Sequence, residues 1–154
     1  MAFHIVLVEP EIPANTGNIS RTCAATGTWL HLVKPLGFSI ADRELKRAGL
    51  DYWPSVKLEV HESFDEVLER YAGSRFYYAS TKAKRTYANV QFRDGDFLVF
   101  GKETKGLPEE LIRRNEETAI RIPIGDAVRS LNLSNAAAIV LYEALRQTGF
   151  EGLN

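Results

Sequence analysis

The most constraining feature of this sequence is the alternation of short apolar runs with helix-like segments along almost the whole chain. Six runs are typical of buried strands: His4–Val8, Trp29–Val33, Val56–Val60, Arg75–Ser80, Asp96–Phe100 and Ile120–Ile124. Five segments are typical of helices: Asn15–Gly27, Asp42–Ala48, Ser63–Tyr71, Pro108–Arg114 and Ser134–Gln147. This alternation predicts an α/β fold with one parallel sheet and helices on both faces. We therefore expect a single-domain, three-layer α/β/α arrangement spanning residues 1–154.

Local signals predict how several helices begin and end. Asn15 or Thr16 can cap the first helix and Gly27 can close it, while Ser63 and Glu66 have the spacing of a capping box. Residues 81–95 show no firm period and are expected to form a long loop or a weak hairpin.

The last helix is apolar on nearly every side. One side carries Ala137, Val140, Leu141, Ala144 and Leu145. Ala136, Ile139 and Tyr142 lie on the other sides. Such a helix needs two partners, so we expect a homodimer contact in addition to the contact with the sheet. The alternative is that the alanines simply tolerate exposure.

Composition narrows the class of protein. The chain has 45% hydrophobic and 25% charged residues and no apolar run near 18 residues, so we expect a soluble protein without a membrane span. Its first apolar run has no basic segment before it, which favours a strand over a signal peptide and a cytoplasmic location. Cys23 is the only cysteine, which excludes an intramolecular disulfide, and its place in the first helix predicts a packing role.

Histidine spacing gives no reason to expect a metal. His4, His31 and His61 are far apart and lack the usual ligand spacings, so each is expected to be a strand or surface residue. The net charge is −1, but two local basic clusters exist: Arg43, Lys46 and Arg47, then Lys82, Lys84 and Arg85. Each cluster is either a solvated surface or a contact for nucleic-acid phosphates.

Three polar loops follow predicted strands. One runs from Asn15 to Arg21, a second from Gly101 to Gly106, and a third from Arg129 to Asn135. The second is not a Walker A loop, because Leu107 and Pro108 stand where that motif needs Lys and Ser or Thr. Since parallel sheets bind ligands at the carboxyl ends of their strands, the three loops can converge on one crevice. Taken alone, the glycine loop could be an ordinary turn.

The three loops together carry a resemblance. They resemble the three motifs of SpoU-type RNA 2′-O-ribose methyltransferases of the SPOUT class. The matching stretches are Asn15-Thr16-Gly17-Asn18-x-x-Arg21, Phe100-Gly101-x-Glu103-Thr104-x-Gly106-Leu107-Pro108, and Ile122-Pro123 with Arg129-Ser130-Leu131-Asn132-Leu133-Ser134-Asn135. Their order and spacing match along the whole chain. The runs Glu9–Pro13 and Arg47–Tyr52 are similar to single-domain members that act on the wobble nucleotide of tRNA.

The resemblance implies a C-terminal trefoil knot that holds S-adenosylmethionine, no metal, and a homodimer with its active sites near the interface. The residues implied to surround the cofactor are Ala79, Gly101, Ile122, Ser130 and Leu131. The implied catalytic positions are Asn15, Arg21, Glu103, Ser130 and Asn132. The family often carries Pro at the position of Lys102 and Arg at that of Lys105, so these two residues depart from the pattern.

The implied reaction is methylation of the ribose 2′-hydroxyl of cytidine or modified uridine 34 in the tRNA anticodon loop, with leucine tRNAs as substrates. Arg21 is the family's candidate for activating the hydroxyl, but a guanidinium is a poor base and a natural phosphate clamp, so positioning is the safer expectation. Glu103 could orient Arg21 or the ribose. The alternatives are methylation of another tRNA or rRNA position, and a non-catalytic RNA-binding module.

Overall fold

The computed structural model describes residues 2–41, 43, 47 and 53–154. Within them, one parallel sheet has seven strands in the order β3-β2-β1-β6-β4-β7-β5. The strands are β1 His4–Val8, β2 Trp29–Val33, β3 Lys57–His61, β4 Phe76–Ala79, β5 Arg85–Thr86, β6 Phe97–Phe100 and β7 Ala119–Arg121. The predicted parallel α/β sheet is therefore confirmed.

Four α-helices lie in the described residues: α1 Pro13–Thr26, α2 Phe64–Arg70, α3 Glu109–Arg114 and α4 Leu133–Gln147. Short 3-10 turns occupy Trp53–Ser55 and Tyr87–Asn89. These four helices confirm four of the five predictions. The fifth, Asp42–Ala48, lies outside the described residues apart from Arg43 and Arg47, as does most of the run Arg47–Tyr52.

Helices cover both faces of the sheet. Successive strand residues point to opposite faces, so Ile5 and Leu7 of β1 join one apolar cluster and Val6 joins the other. The first cluster contains Ile19 of α1 and the apolar side predicted for α4. The second contains residues of α2 and α3. This arrangement confirms the three layers.

Several boundaries differ from those predicted. The strand predicted at Ile120–Ile124 spans Ala119–Arg121 instead, and Pro123, which has no N–H to donate, lies in the segment that leaves the sheet. β3 ends at His61, one residue later than predicted. The segment 81–95 contains β5, which pairs with β7 in parallel and is too short to have an apolar pattern of its own.

The start of α1 was also predicted wrongly. The helix begins at Pro13 with Ile12 at the N-cap position, and neither Asn15 nor Thr16 caps it. Its C-terminal end is as predicted, since Gly27 adopts a positive φ of 68°. The predicted cap of α2 is confirmed, because the Ser63 hydroxyl accepts a hydrogen bond from the backbone N–H of Glu66.

Three side chains in the core bear on later arguments. Cys23 is buried among apolar residues, as predicted, and burial raises the pKa of its thiol. Burial also lowers the pKa of His4 to about 4 and that of His31 to about 3, so both rings are neutral at pH 7. A bilayer-crossing segment would have to be longer and more apolar than any helix found in the described residues.

Candidate active site

The predicted cofactor-binding positions meet at one edge of the sheet. Ala79 ends β4, Gly101 directly follows β6, and Ile122 directly follows β7. These three strands are neighbours in the order β6-β4-β7 and run in parallel, so their carboxyl ends share an edge. The structure therefore brings Ala79, Gly101 and Ile122 to the edge at which open parallel sheets bind ligands.

The loop after β6 folds back tightly over Gly101. The backbone N–H of Gly106 donates to the carbonyl of Lys102 at 2.8 Å, which closes the loop. A Cβ atom added to Gly101 would lie 2.1 Å from the carbonyl carbon of Gly106 and 2.2 Å from the nitrogen of Leu107. Only glycine fits this close approach of two backbone segments.

A chain of hydrogen bonds joins the three polar segments that were predicted as loops, of which Asn15–Arg21 lies within α1 instead. The Asn15 amide donates from Nδ2 to Oε2 of Glu103 at 3.1 Å, and its Oδ1 accepts from Nδ2 of Asn132 at 3.0 Å. Because a carboxylate can only accept, Asn15 must turn its NH₂ group to Glu103 and its carbonyl to Asn132. We call Glu103, Asn15 and Asn132 the amide chain. It gives both carboxamides one defined orientation at the centre of the candidate site.

Glu103 also supplies the cap that α1 lacks locally. Its two carboxylate oxygens accept from the backbone N–H of Glu11 at 2.8 Å and of Ile12 at 3.0 Å. Unpaired N–H groups at a helix start carry partial positive charge, so a carboxylate is favourable there. Glu103 therefore fixes where α1 begins and where Asn15 stands.

The contact between these two loops is reciprocal. The Glu11 carboxylate accepts from the backbone N–H of Thr104 at 3.0 Å and from its hydroxyl at 2.8 Å. These two bonds hold the pKa of Glu11 below its ordinary value. We had not predicted a role for Glu11 or for the Thr104 side chain. The only signal was their position, since each follows a strand within a motif.

Asn132 has a second role as the N-cap of α4. Its Oδ1 accepts from the backbone N–H of Ser134 at 2.9 Å and of Asn135 at 3.3 Å. Capping and site formation thus use opposite ends of the same amide group. The start of α4 is held in register with the start of α1 through this one side chain.

The remaining predicted residues surround the amide chain. Arg21 lies on α1, six residues after Asn15, with an exposed side chain. Ser130 is exposed and Leu131 is half-buried, and both directly precede Asn132. Among the hydrogen bonds described above, none involves the Ser130 side chain, so the structure places it next to the chain without making it a member.

Lysines give the adjacent surface its charge. Lys82, Lys102 and Lys105 line an open groove beside the loop 101–106, together with Glu9 and Glu109. Lys82 pairs with Glu109 and holds the pKa of that carboxyl below its usual range, and Lys102 lies 3.5 Å from Glu9. The groove therefore combines flexible ammonium groups with two partly compensating carboxylates.

A comparison with known protein families covers the same three segments. The sequence profile of the SpoU rRNA methylase family matches residues 2–142, which include all three converging loops. The chain belongs to the SpoU rRNA methylase family. The prediction from the three motifs is thereby confirmed.

Relatives within the SpoU family are similar over nearly their full length. A Listeria innocua protein, provisionally named tRNA (cytidine(34)-2'-O)-methyltransferase, is 58% identical over 156 residues, which cover 99% of this chain and 92% of that protein.

Solved SpoU structures share the fold. One, described as giving insight into 2-OH methylation of C/U34 on tRNA, has a TM-score of 0.91 and 47% identity, with 96% of each chain covered. The SpoU methyltransferase AviRb from Streptomyces viridochromogenes, solved in complex with AdoMet, has a TM-score of 0.82 and 26% identity, covering 96% of this chain and 60% of that one.

Proposed function

We propose that this protein transfers the methyl group of S-adenosylmethionine to the ribose 2′-hydroxyl of nucleotide 34, cytidine or modified uridine, in the anticodon loop of tRNA. The observation that carries the proposal is the amide chain, which assembles the three SpoU motifs into one site. Relatives and structures named for the same reaction support the choice of substrate.

Ala79, Gly101, Ile122, Ser130 and Leu131 are the residues that we assign to the cofactor. Three of them end or follow adjacent strands, at the edge where open parallel sheets bind ligands, and Gly101 lets the loop after β6 fold back tightly at that edge. The residues present fit S-adenosylmethionine, whose sulfonium supplies the methyl group when bound. The task of the chain is to orient that group in line with the ribose hydroxyl.

We assign Asn15, Glu103 and Asn132 as positioning residues and Arg21 as the RNA-side cation. The two amides and the carboxylate are joined by hydrogen bonds to one another, and Glu103 is also held by backbone N–H groups, so their orientations are fixed within the site. Arg21 is exposed and, as a guanidinium, suits bidentate phosphate contact better than proton removal. We assign Ser130, which is exposed and lies two residues before Asn132, to contact with the ribose or the cofactor.

In this proposal the RNA backbone follows the open groove lined by Lys82, Lys102 and Lys105. Lys102 and Lys105 stand where related proteins often carry Pro and Arg, and both line the groove. Lys84 and Arg85 extend the basic surface along the segment after β4, and both are exposed. Because phosphate contacts release counterions, affinity for tRNA should fall as the salt concentration rises.

The finer features of the fold also belong to this proposal. We infer a trefoil knot because β4 and β5 are consecutive in the chain yet lie on either side of the later strand β7. We infer a homodimer because Ile12, Val128 and Tyr142 are large exposed apolar residues on or near α1 and α4. In this proposal residues 1–154 form one cytoplasmic methyltransferase domain, and leucine tRNAs are the substrates.

Labelling tests the proposed reaction. Purified protein is incubated with isotopically labelled S-adenosylmethionine and tRNA from cells that lack this protein, and the labelled nucleosides are mapped. We expect label in a 2′-O-methylated nucleotide 34. Label at another tRNA or rRNA position would show that the substrate differs from the one proposed while the reaction is the same. Cofactor binding without label in any RNA would favour a non-catalytic RNA-binding module.

The Arg21→Ala variant tests whether Arg21 acts on the RNA and not on the cofactor. We expect cofactor affinity to stay within about twofold and methyl transfer to fall at least about tenfold, since a charged hydrogen bond to phosphate contributes about 1.5–3 kcal/mol. Calorimetry measures the first quantity and single-turnover kinetics the second. Arg113→Ala, which removes an exposed arginine of α3, is the matched control. Unchanged turnover in Arg21→Ala would remove this residue from the mechanism.

A further inference from the structure

The three histidines of the chain, far apart in sequence, form one row across β1, β2 and β3. Nδ1 of His4 lies 2.9 Å from Nε2 of His31, and Nδ1 of His31 lies 3.0 Å from Nε2 of His61. His31 and His61 are fully buried. The parallel register places Glu59 directly opposite His31, so a carboxylate joins the row.

Three atoms of this row stand at the corners of a near-equilateral triangle. Oε1 of Glu59 lies 3.4 Å from Nδ1 of His31 and 3.4 Å from Nε2 of His61, which are themselves 3.0 Å apart. A tetrahedral zinc ion with bonds of about 2.0–2.1 Å separates its ligand atoms by about 3.3–3.4 Å. We call His31, Glu59 and His61 the histidine-carboxylate cluster. Two of its three edges match the spacing of ligands around such an ion, and the edge between the two nitrogen atoms, at 3.0 Å, would have to widen by about 0.3–0.4 Å.

Two members of the cluster, His31 and Glu59, have the outer partner that orients a metal ligand. The other nitrogen of His31 faces His4, whereas the other nitrogen of His61 is buried without a hydrogen-bond partner among the described residues, 3.5 Å from the carboxylate of Glu66. Glu59 accepts from the Tyr71 hydroxyl at 2.6 Å and lies 3.3 Å from the Arg70 guanidinium. Such partners fix the tautomer of a ligating imidazole and the orientation of a ligating carboxylate.

We propose that the histidine-carboxylate cluster binds one Zn²⁺ ion. Two imidazoles and one carboxylate are a ligand set that zinc uses in proteins, with a fourth position left for water. Glu59 is the least buried ligand, at 18% side-chain exposure, and gives the ion a path from solvent. The ion would fasten β3, the edge strand of the sheet, to β2.

This site is separate from the candidate active site. The cluster belongs to β2 and β3, and its neighbours Glu66 and Tyr71 come from α2 and the residue after it. The strand-end residues assigned to the cofactor end β4 or directly follow β6 and β7, in the other half of the sheet. The proposal therefore stands or fails independently of the methyl transfer reaction.

Calorimetric titration with zinc chloride tests the proposal on full-length protein freed of metal with a chelator. We expect one equivalent of zinc to bind and to raise the melting temperature, as any ligand specific for the folded state does. Glu59→Gln, which keeps the shape of the side chain, should lower zinc affinity at least about tenfold. Tyr71→Phe, which removes an outer partner, should lower it about 10–100-fold.

Glu62→Gln is the matched control, because Glu62 is an exposed carboxylate next to His61 that pairs with Lys34 instead. This variant should bind zinc like the unaltered protein. The proposal fails if zinc neither binds nor stabilises, or if Glu59→Gln binds zinc as tightly as the control. The three histidines would then be a hydrogen-bonded row only, and methyl transfer by the Glu59→Gln variant is expected to be unchanged in either case.

Discussion

Gly101→Ala is expected to abolish most cofactor binding while the protein keeps its helices and sheet. The added methyl group would meet the backbone of Gly106 and Leu107 at 2.1–2.5 Å, and backbone cannot rotate away as a side chain can. Forcing atoms into a packed space costs about 1–3 kcal/mol. If the loop relieves the clash by moving away from its binding position, cofactor affinity falls roughly 30- to 150-fold, which corresponds to about 2–3 kcal/mol.

Calorimetry with S-adenosylmethionine measures this loss, and circular dichroism checks that the fold is retained. Gly125→Ala is the control, since a methyl group at that exposed position has no neighbour within 4 Å. It should leave affinity within about threefold. An affinity near normal in Gly101→Ala would show that the loop after β6 does not touch the cofactor.

Glu103→Ala is expected to lower methyl transfer more than Glu103→Gln does. Alanine leaves the backbone N–H groups of Glu11 and Ile12 and the Asn15 amide without their carboxylate acceptor. The bonds of Glu11 and Asn15 are part-buried, and a donor left unsatisfied away from water costs up to about 3 kcal/mol, whereas water can replace the acceptor of the exposed Ile12 N–H. Glutamine keeps one acceptor oxygen but turns an NH₂ group towards other donors. We expect a loss of at least about 100-fold for alanine and about tenfold for glutamine in single-turnover rate.

The ranking of the two variants separates two roles for Glu103. A base that removes a proton would be lost equally in both variants, whereas a residue that positions Asn15 and α1 is partly replaced by glutamine. Melting temperatures should follow the same order, because capping contributes to stability. Glu110→Ala, an exposed carboxylate paired with Arg113, serves as the control and should change neither quantity. Equal inactivity of both Glu103 variants at unchanged stability would favour the base.

Local sequence patterns predict the parts of this fold that are stabilised locally. The five apolar residues predicted to form one side of α4 are the five buried ones, because a helical period of 3.6 residues is decisive in a long segment. The Ser63 cap is also predictable, since donor and acceptor are three residues apart. The order of the strands is not, because nothing in the apolar runs specifies which strand pairs with which.

Features determined by distant residues could not be predicted. Asn15 or Thr16 was the expected cap of α1, but the carboxylate that accepts from the N–H groups at its start belongs to Glu103, 88 residues after Asn15. β5 has only two residues and exists because β7 lies next to it. The convergence of the three polar segments was predictable from their positions after strands, although Asn15–Arg21 lies in a helix and not in a loop. The reciprocal bonds of Glu11 and Thr104 depend on side-chain geometry that no spacing reveals.

The histidine row shows the same limit. His4, His31 and His61 have no ligand spacing, and we expected no metal from the sequence. Their proximity follows from the register of β1, β2 and β3, which aligns His31 with Val6 on one side and with Glu59 on the other. His4 and His61 lie two residues from these aligned positions, so their side chains point to the same face of the sheet as those of Val6 and Glu59. Parallel pairing thus creates a local cluster from residues that are 27 and 30 positions apart.

The amide chain has a consequence for synthesis of the polypeptide. Asn15 emerges from the ribosome early, while its two partners lie 88 and 117 residues behind it. Contacts between residues so far apart in the chain form late, because the intervening residues must be ordered before the contact can contribute to stability. A nascent or interrupted polypeptide that ends before Asn132 can pair several strands but cannot complete the site. The site is therefore complete only when the last helix has formed, and we expect unfinished chains not to bind cofactor or RNA in competition with finished ones.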